Sequence, residues 1–323
     1  MDLVAVDIGG TNARFCIATI GDGGAVSLGD VATLGTKDYT SFVSAWEAFC
    51  AMHGGTLPRA AAVAIAGPVH DETIRFTNNP WIIQPARLHD QIGIEQQTLV
   101  NDFAAVAHAV AIADEAHFEH LCGPEGPLPA DGTLTVCGPG TGLGVAHLWR
   151  DGHGGYRVQA TEGGHIDFAP LDQVEEALLK RLRKRYRRVS AERVVSGPAI
   201  IDLYETLATL EGRAITPSDD KTLWTAALSG ADSLAEQAAE RFCLSLGSVA
   251  GDLALAQGAS GVVIAGGLGY RLRELLLKSG FGARFRAKGR FEDMMASMPV
   301  RLITHPQPGL LGAAAAFAME HKS

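Results

Sequence analysis

Short apolar runs bounded by glycine, proline or asparagine recur along the chain, and most have the length of a strand. They fall at residues 3–8, 14–20, 61–66, 98–100, 134–137, 145–149, 261–265 and 300–304. Between them, apolar positions return at helical spacing over 41–53, 102–121, 173–188, 198–211, 233–257, 270–278 and 310–321. Strands and helices that alternate in this way predict an α/β fold. The stretch 121–133, rich in Pro and Gly, reads as a surface connection within a domain.

Two of the strand pairs are joined through glycine. LVAVDIGGTNARFCIA begins at Leu3 and LTVCGPGTGLGVAHLW covers 134–149; each is a strand, a Gly/Thr turn and a second strand. A third glycine pair, Gly266-Gly267, follows the run GVVIA and leads into a helical segment. Without a Cβ, such turns bring backbone N–H groups close to an anion, which suits phosphate. The familiar phosphate motifs fail on spacing. No glycine is followed by Lys-Ser or Lys-Thr as a Walker A loop requires. Gly138, Gly140, Gly142 and Gly144 alternate and run into a strand, whereas GxGxxG opens a helix. One strand–turn–strand unit alone reads as an ordinary hairpin. Two of them with a later AGG predict one nucleotide held by several loops.

Composition narrows the class. At 323 residues and 47% hydrophobic content the chain supports a large core and two lobes. No apolar run reaches the roughly 20 residues of a membrane span, and the N-terminus lacks the features of a signal peptide, so a cytoplasmic location without membrane partners is expected. The five cysteines show no metal-ligand spacing, and most read as small buried hydrophobes. A net charge of −9 argues against nucleic acid as a partner. One segment opposes that average: KRLRKRYRR, Lys180 to Arg188, holds seven basic residues in nine and follows Asp172, Glu175 and Glu176 on what reads as one helix. It is either a solvated helix whose charges suit the dipole or a site for a polyanion or partner.

The stretches DIGGTNAR, TNNPW, VNDFAAVA, GPGTGLGVAHL, TEGGHIDFAP, VSAERVVSGP, IAGGL, KGRF and PGLLGAAAA appear in the order found in bacterial glucokinases. Over nearly its whole length the chain resembles that family, ATP-dependent hexose kinases of the hexokinase and actin-like superfamily. The resemblance implies a two-lobed actin-like ATPase (ribonuclease H-like) fold with a central cleft that closes on glucose. Its small lobe would comprise 1–108 completed by 302–323, and its large lobe 109–301. It also implies transfer of the γ-phosphoryl of ATP to the 6-hydroxyl of glucose, and often a homodimer.

Residue roles follow from the same resemblance. Asp102 matches the general base; read on spacing alone it equally caps the helix that follows. Asn101, Glu162, His165 and Glu192 match hexose ligands, although His165 could instead position Glu162, and each glutamate alone reads as a surface residue. Asn78 and Asn79 either line the cleft or form an Asx turn. ATP is expected on Val6, Asp7, Ile8, Gly9, Gly10, Thr11 and Asn12, on Gly138, Gly140, Thr141, Gly142 and Gly144, and on Gly266 and Gly267. Asp7 matches the carboxylate near Mg²⁺, reached through water, or else it caps its own turn. The cysteine-rich zinc motif of the repressor and open-reading-frame kinase branch does not follow the GGH segment, so no structural zinc is expected. Two other readings stand beside glucokinase: a kinase for another hexose, and a catalytically silent sugar-sensing protein.

Overall fold

The computed structural model describes every residue except Pro68, His70, Thr77, Asn78, Pro80, Thr216, Lys322 and Ser323. The chain forms two compact units, the first from Met1–Asp114, Val158–Ala160 and His305–Ser323, the second from Glu115–Arg157 and Thr161–Thr304. The first unit opens with β1 (Asp2–Ile8), β2 (Asn12–Ile20), β3 (Val26–Leu28) and β4 (Ala32–Gly35). It continues with α1 (Phe42–Met52), β5 (Ala60–Ile65), β6 (Ile74–Arg75), β7 (Ile82–Ile83), α2 (Pro85–Ile92), β8 (Gln96–Asn101) and α3 (Asp102–Ile112). Next come β9 (Phe118–Cys122), β10 (Asp131–Pro139), β11 (Leu143–Asp151), β12 (Tyr156–Thr161), α4 (Gln173–Leu182), α5 (Ala199–Leu210), α6 (Asp220–Ser229) and α7 (Ser233–Gln257). The remainder is β13 (Gly261–Ile264), α8 (Gly267–Arg271), α9 (Arg273–Lys278), α10 (Phe281–Arg286), α11 (Glu292–Ala296), β14 (Val300–Ile303) and α12 (Pro308–Glu320).

The two sheets are built on one plan. In the first, β3-β2-β1-β5-β8 is the strand order, β1 and β2 are antiparallel, and β5 and β8 add in parallel. The second runs β12-β11-β10-β13-β14-β9, with β10 and β11 antiparallel and β13 and β14 added in parallel. Each sheet is therefore a glycine-turned hairpin extended by crossovers. β9 then pairs antiparallel at the far edge of the second.

Strand alternation decides where the site residues face. On β1, Val4, Val6 and Ile8 enter a core with Phe42, Trp46 and Phe49 of α1, while Leu3 and Ala5 face Ala104 and Ala105 of α3 and the alanines of α12. Asp7 shares the parity of Leu3 and Ala5, which directs it toward α12. The alanine-rich helices cross very closely, since a Cβ on Gly312 would overlap the Ala105 carbonyl. The second unit has a single large core joining its strands to α5, α6, α7 and α10.

Several expectations need correction. The helix expected over 102–121 ends at Ile112, and 118–122 forms β9, whose apolar residues satisfy a strand on β14 as well as they would a helix. The 173–188 helix stops at Leu182, where the cationic run tightens into turns. The 270–278 helix breaks into α8 and α9 around Leu272. Unit boundaries at 108/109 and 301/302 would cut α3 and β14; the breaks fall beyond both elements, at 114/115 and 304/305. The reading of most cysteines as buried holds: Cys16, Cys137 and Cys243 are buried, and Cys50 and Cys122 are half-buried.

Candidate active site

The first glycine turn is closed by a hydrogen bond from Gly9 N to Asn12 O at 2.9 Å. Thr36 braces it twice, its N–H donating to Thr11 O at 3.0 Å and its Oγ1 to Gly10 O at 3.0 Å. Asn79 adds a longer contact from Nδ2 to Gly9 O at 3.5 Å, while its Oδ1 accepts from Trp81 N at 2.9 Å, the Asx-type bond. Asn78 lies outside the described residues. The N–H groups of Gly10 and Thr11 donate no hydrogen bond among the described residues, and the Thr11 side chain is exposed. Val6 and Ile8, expected in the nucleotide set, are instead buried core residues with their backbones held in the sheet; they shape the turn and present no side chain to a ligand.

Asp7 lies opposite Arg14 across the β1–β2 hairpin, and the guanidinium stands 3.2 Å from Oδ2. About a fifth of the side chain stays accessible (20%). Burial still dominates and pushes its pKa up, with the charge and hydrogen bond of Arg14 pulling the other way. Gly309 at the start of α12 makes room for it, since a Cβ there would sit 2.7 Å from the carboxylate.

The second turn is tied differently. Gly140 N donates to Gly142 O at 2.8 Å, and Gly140 O accepts from Gly197 N at 2.8 Å. Glu192 Oε2 accepts from Leu143 N at 3.1 Å and lies where a Cβ on Gly142 would go. Gly138 and Gly144 are opposed within the β10–β11 ladder below the tip, so the tip itself is Gly140, Thr141 and Gly142. Thr141 and Gly142 N–H groups donate no hydrogen bond among the described residues, and the Cβ position of Gly140 is open to at least 4 Å. Gly138 is needed for contact, because a Cβ would overlap the Ala265 carbonyl. Gly266 follows with φ 84°, and a Cβ there would come within 2.6 Å of Pro139 O. Gly267 is open. None of Gly9, Gly10, Gly138, Gly140, Gly142, Gly144 or Gly267 has a positive φ, so left-handed backbone is not what these positions use; at Gly9, Gly138 and Gly142 close neighbours leave little or no room for a Cβ.

The candidate sugar ligands divide between the units. In the first, Asn101 is the cap of α3: its Oδ1 accepts from Phe103 N and Ala104 N, both at 3.0 Å, and Nδ2 donates to Gly67 O at 3.4 Å. Asp102 is therefore the first helical residue and not the cap. Half-buried, it accepts from Phe103 N at 2.8 Å, and a helix start favours a carboxylate. In the second unit, Glu162 and His165 flank a single 3-10 turn with Oε2 and Nε2 3.9 Å apart, both exposed, and that turn touches the 191–193 turn that carries Glu192. Sequence reasoning missed Arg14, Thr36, Gly197 and Gly309. The spacing did hold a signal for Arg14, since counting back from the turn sets it across from Asp7. The other three come from distant chain and have none.

Two sheets built on one plan, each with a strand–turn–strand corner that keeps unspent N–H groups at its tip among the described residues, fit an actin-like kinase fold. The comparisons narrow that fold to a family. The family model described as Glucokinase matches residues 3–320. A glucokinase of Zymomonas mobilis is 56% identical over 321 residues, covering 99% of both chains. The crystal structure of a glucokinase from an Antarctic psychrotroph is 33% identical with a TM-score of 0.85, covering 98% of this chain and 99% of that one. A glucokinase from Streptomyces griseus, solved in complex with glucose and AMPPNP, shares the fold at a TM-score of 0.64 and 18% identity, covering 97% of this chain and 98% of that one. The chain belongs to the glucokinase family.

Proposed function

We propose that the chain transfers the γ-phosphoryl group of ATP to the 6-hydroxyl of D-glucose, giving glucose 6-phosphate and ADP. Family membership over nearly the whole chain supports the activity. The observation that carries the site assignment is the Glu192 carboxylate bonded to Leu143 N, next to the tip of the second glycine turn, which joins a sugar acceptor to a phosphate cradle.

In this reading the glucose 6-oxygen attacks the γ-phosphorus, the bond to the bridging oxygen breaks, and the hydroxyl proton passes to Asp102. Asn101 has its carbonyl oxygen committed to α3, so it meets a sugar oxygen as a donor through Nδ2. Glu192 spends one oxygen on Leu143 and keeps the other to accept from a sugar hydroxyl. His165 and Glu162 complete the acceptors. The free amides of Gly10, Thr11, Thr141 and Gly142 hold phosphate oxygens, and the space at Gly140 admits them. Mg²⁺ arriving with ATP offsets phosphate charge; a lone carboxylate such as Asp7, already salt-bridged, suits its water shell and not a direct cage. No group of three or more His, Cys, Asp or Glu able to hold a metal occurs among the described residues.

The test is a coupled ADP-release assay with Mg-ATP and glucose, mannose, fructose or glucosamine. Glucose should give the highest kcat/KM. A faster alternative sugar would reassign the substrate, and release independent of any hexose would end the kinase reading.

A further inference from the structure

The basic run from Lys180 to Arg188 plays no part in the proposed chemistry, and its cations divide into two sets. Arg181 pairs with Asp202 at 3.3 Å and with Glu205, Arg185 pairs with Asp202, and Arg188 pairs with Asp167 at 2.5 Å. Arg185 also stands 5.4 Å from the centre of the Tyr186 ring, which it shares with Arg193. These residues hold the end of α4 against α5 and the 167–168 segment.

Lys180, Arg183, Lys184 and Arg187 have no acidic partner among the described residues, and all four are exposed. Lys180, Arg183 and Lys184 stand at i, i+3 and i+4, a set that shares one helical face, and Arg187 follows in the bend beyond them. α4 ends at Leu182, and bonds from Arg183 N to Leu179 O and Lys184 N to Arg181 O continue as turns, so the face holds through Arg183 and Lys184. A row of uncompensated cations thus stands on a chain of net charge −9.

Troughs lie on both sides of this row. One, of about 540 Å³, is walled by Phe168, Pro170 and Leu179 with Lys180 and Arg183 on its rim and Glu176 as the acid in its lining. The other, of about 200 Å³, runs along Ala177 and Leu210 with Lys180, Arg181 and Lys184. Cations between two concave apolar walls suit a ligand that alternates negative charge with apolar side chains. A duplex or an anionic bilayer is a broad polyanion and would also meet the acidic remainder of the surface.

We propose that this ridge of the second unit binds an acidic protein segment whose carboxylates lie along Lys180, Arg183 and Lys184 and whose apolar side chains enter the flanking troughs. Electrostatic complementarity sets its orientation and its speed of association, and the apolar anchors supply the lasting contact.

Fluorescence anisotropy with a labelled synthetic Glu/Leu peptide tests this, beside a Glu/Ser peptide of equal charge, labelled single-stranded DNA and phosphatidylserine vesicles. The Glu/Leu peptide should bind tightest and weaken as salt approaches about 0.15 M. The triple variant Lys180→Gln/Arg183→Gln/Lys184→Gln should bind it roughly ten- to hundredfold more weakly while keeping wild-type ADP release from ATP and glucose. Failure of the peptide to bind, equal binding by the variant, or equal binding of the Glu/Ser peptide would overturn the proposal. So would tighter binding of the DNA or the vesicles.

Discussion

The two glycine turns look alike in sequence and are held by different means. Each has a closing bond; beyond it, the Gly9–Asn12 turn is braced by the uncharged Thr36, which follows β4 and bonds to Thr11 O and Gly10 O. The Pro139–Leu143 turn is secured by distant chain, through Gly197 and the carboxylate of Glu192. The first has no candidate sugar ligand among these anchors, so small changes there should stay confined to the turn. The second shares an anchor with a candidate sugar ligand, so disturbance of one should be felt by the other.

The largest expected effect that sharpens this contrast is on folding. Gly138→Ala drives a methyl into the Ala265 backbone, which cannot swing aside, and should cost about 3 kcal/mol in denaturant unfolding. Gly9→Ala places its methyl 3.3 Å from Asn12 O and should cost under about 1 kcal/mol. Equal losses would erase the distinction.

Acid should separate the units next. Burial of His108 on α3 lowers its pKa from 6.5 to about 4, so the unfolded state binds the extra proton. Its contribution is full above pH 6.5 and fades as pH falls toward 4, by on the order of 2–3 kcal/mol, and His108→Leu should flatten that slope. In the second unit, burial works against ionisation of Asp172, but hydrogen bonds from Arg241 and Glu175 N and the charges of Arg241 and Arg284 outweigh it and hold its pKa at about 2. That stability is present above pH 3.8 and is lost only as pH falls toward 2. Hydrogen exchange should therefore show the first unit loosening at the higher pH; the opposite order would contradict these assignments.

The smaller effects fall on binding. Gly142→Ala displaces the Glu192 carboxylate, a flexible group, and should raise the glucose KM about tenfold with little loss of stability. Glu192→Gln keeps an acceptor for Leu143 N and should disturb the ATP KM less than Glu192→Ala, by roughly threefold. If both substitutions left the ATP KM untouched, the shared anchor would have no consequence.

Much of this was readable from the sequence wherever a residue's role is local. The strands of both hairpins follow from apolar runs and glycine, and the parity of Asp7 follows from strand alternation. Asn101 and Asp102 read as a pair, but which of them caps α3 depends on the backbone angle at Asn101, and a one-residue shift of roles is invisible in composition. Helix ends were less legible. No glycine or proline marks Ile112, and a cationic run does not announce where α4 yields to turns. β12, α6 and α10 were not anticipated, because their exposed or short apolar patterns carry weak periodicity. The turn anchors Thr36, Gly197 and Gly309 act across long separations, where spacing holds no information.

One measurement bears most directly on the account: kcat of Asp102→Asn for glucose and ATP, taken together with glucose affinity by calorimetry. The account predicts a fall in kcat of roughly 10²- to 10⁴-fold with glucose binding largely retained. A variant that turns over within about twofold of wild type would show that another group accepts the proton and that Asp102 only starts the helix.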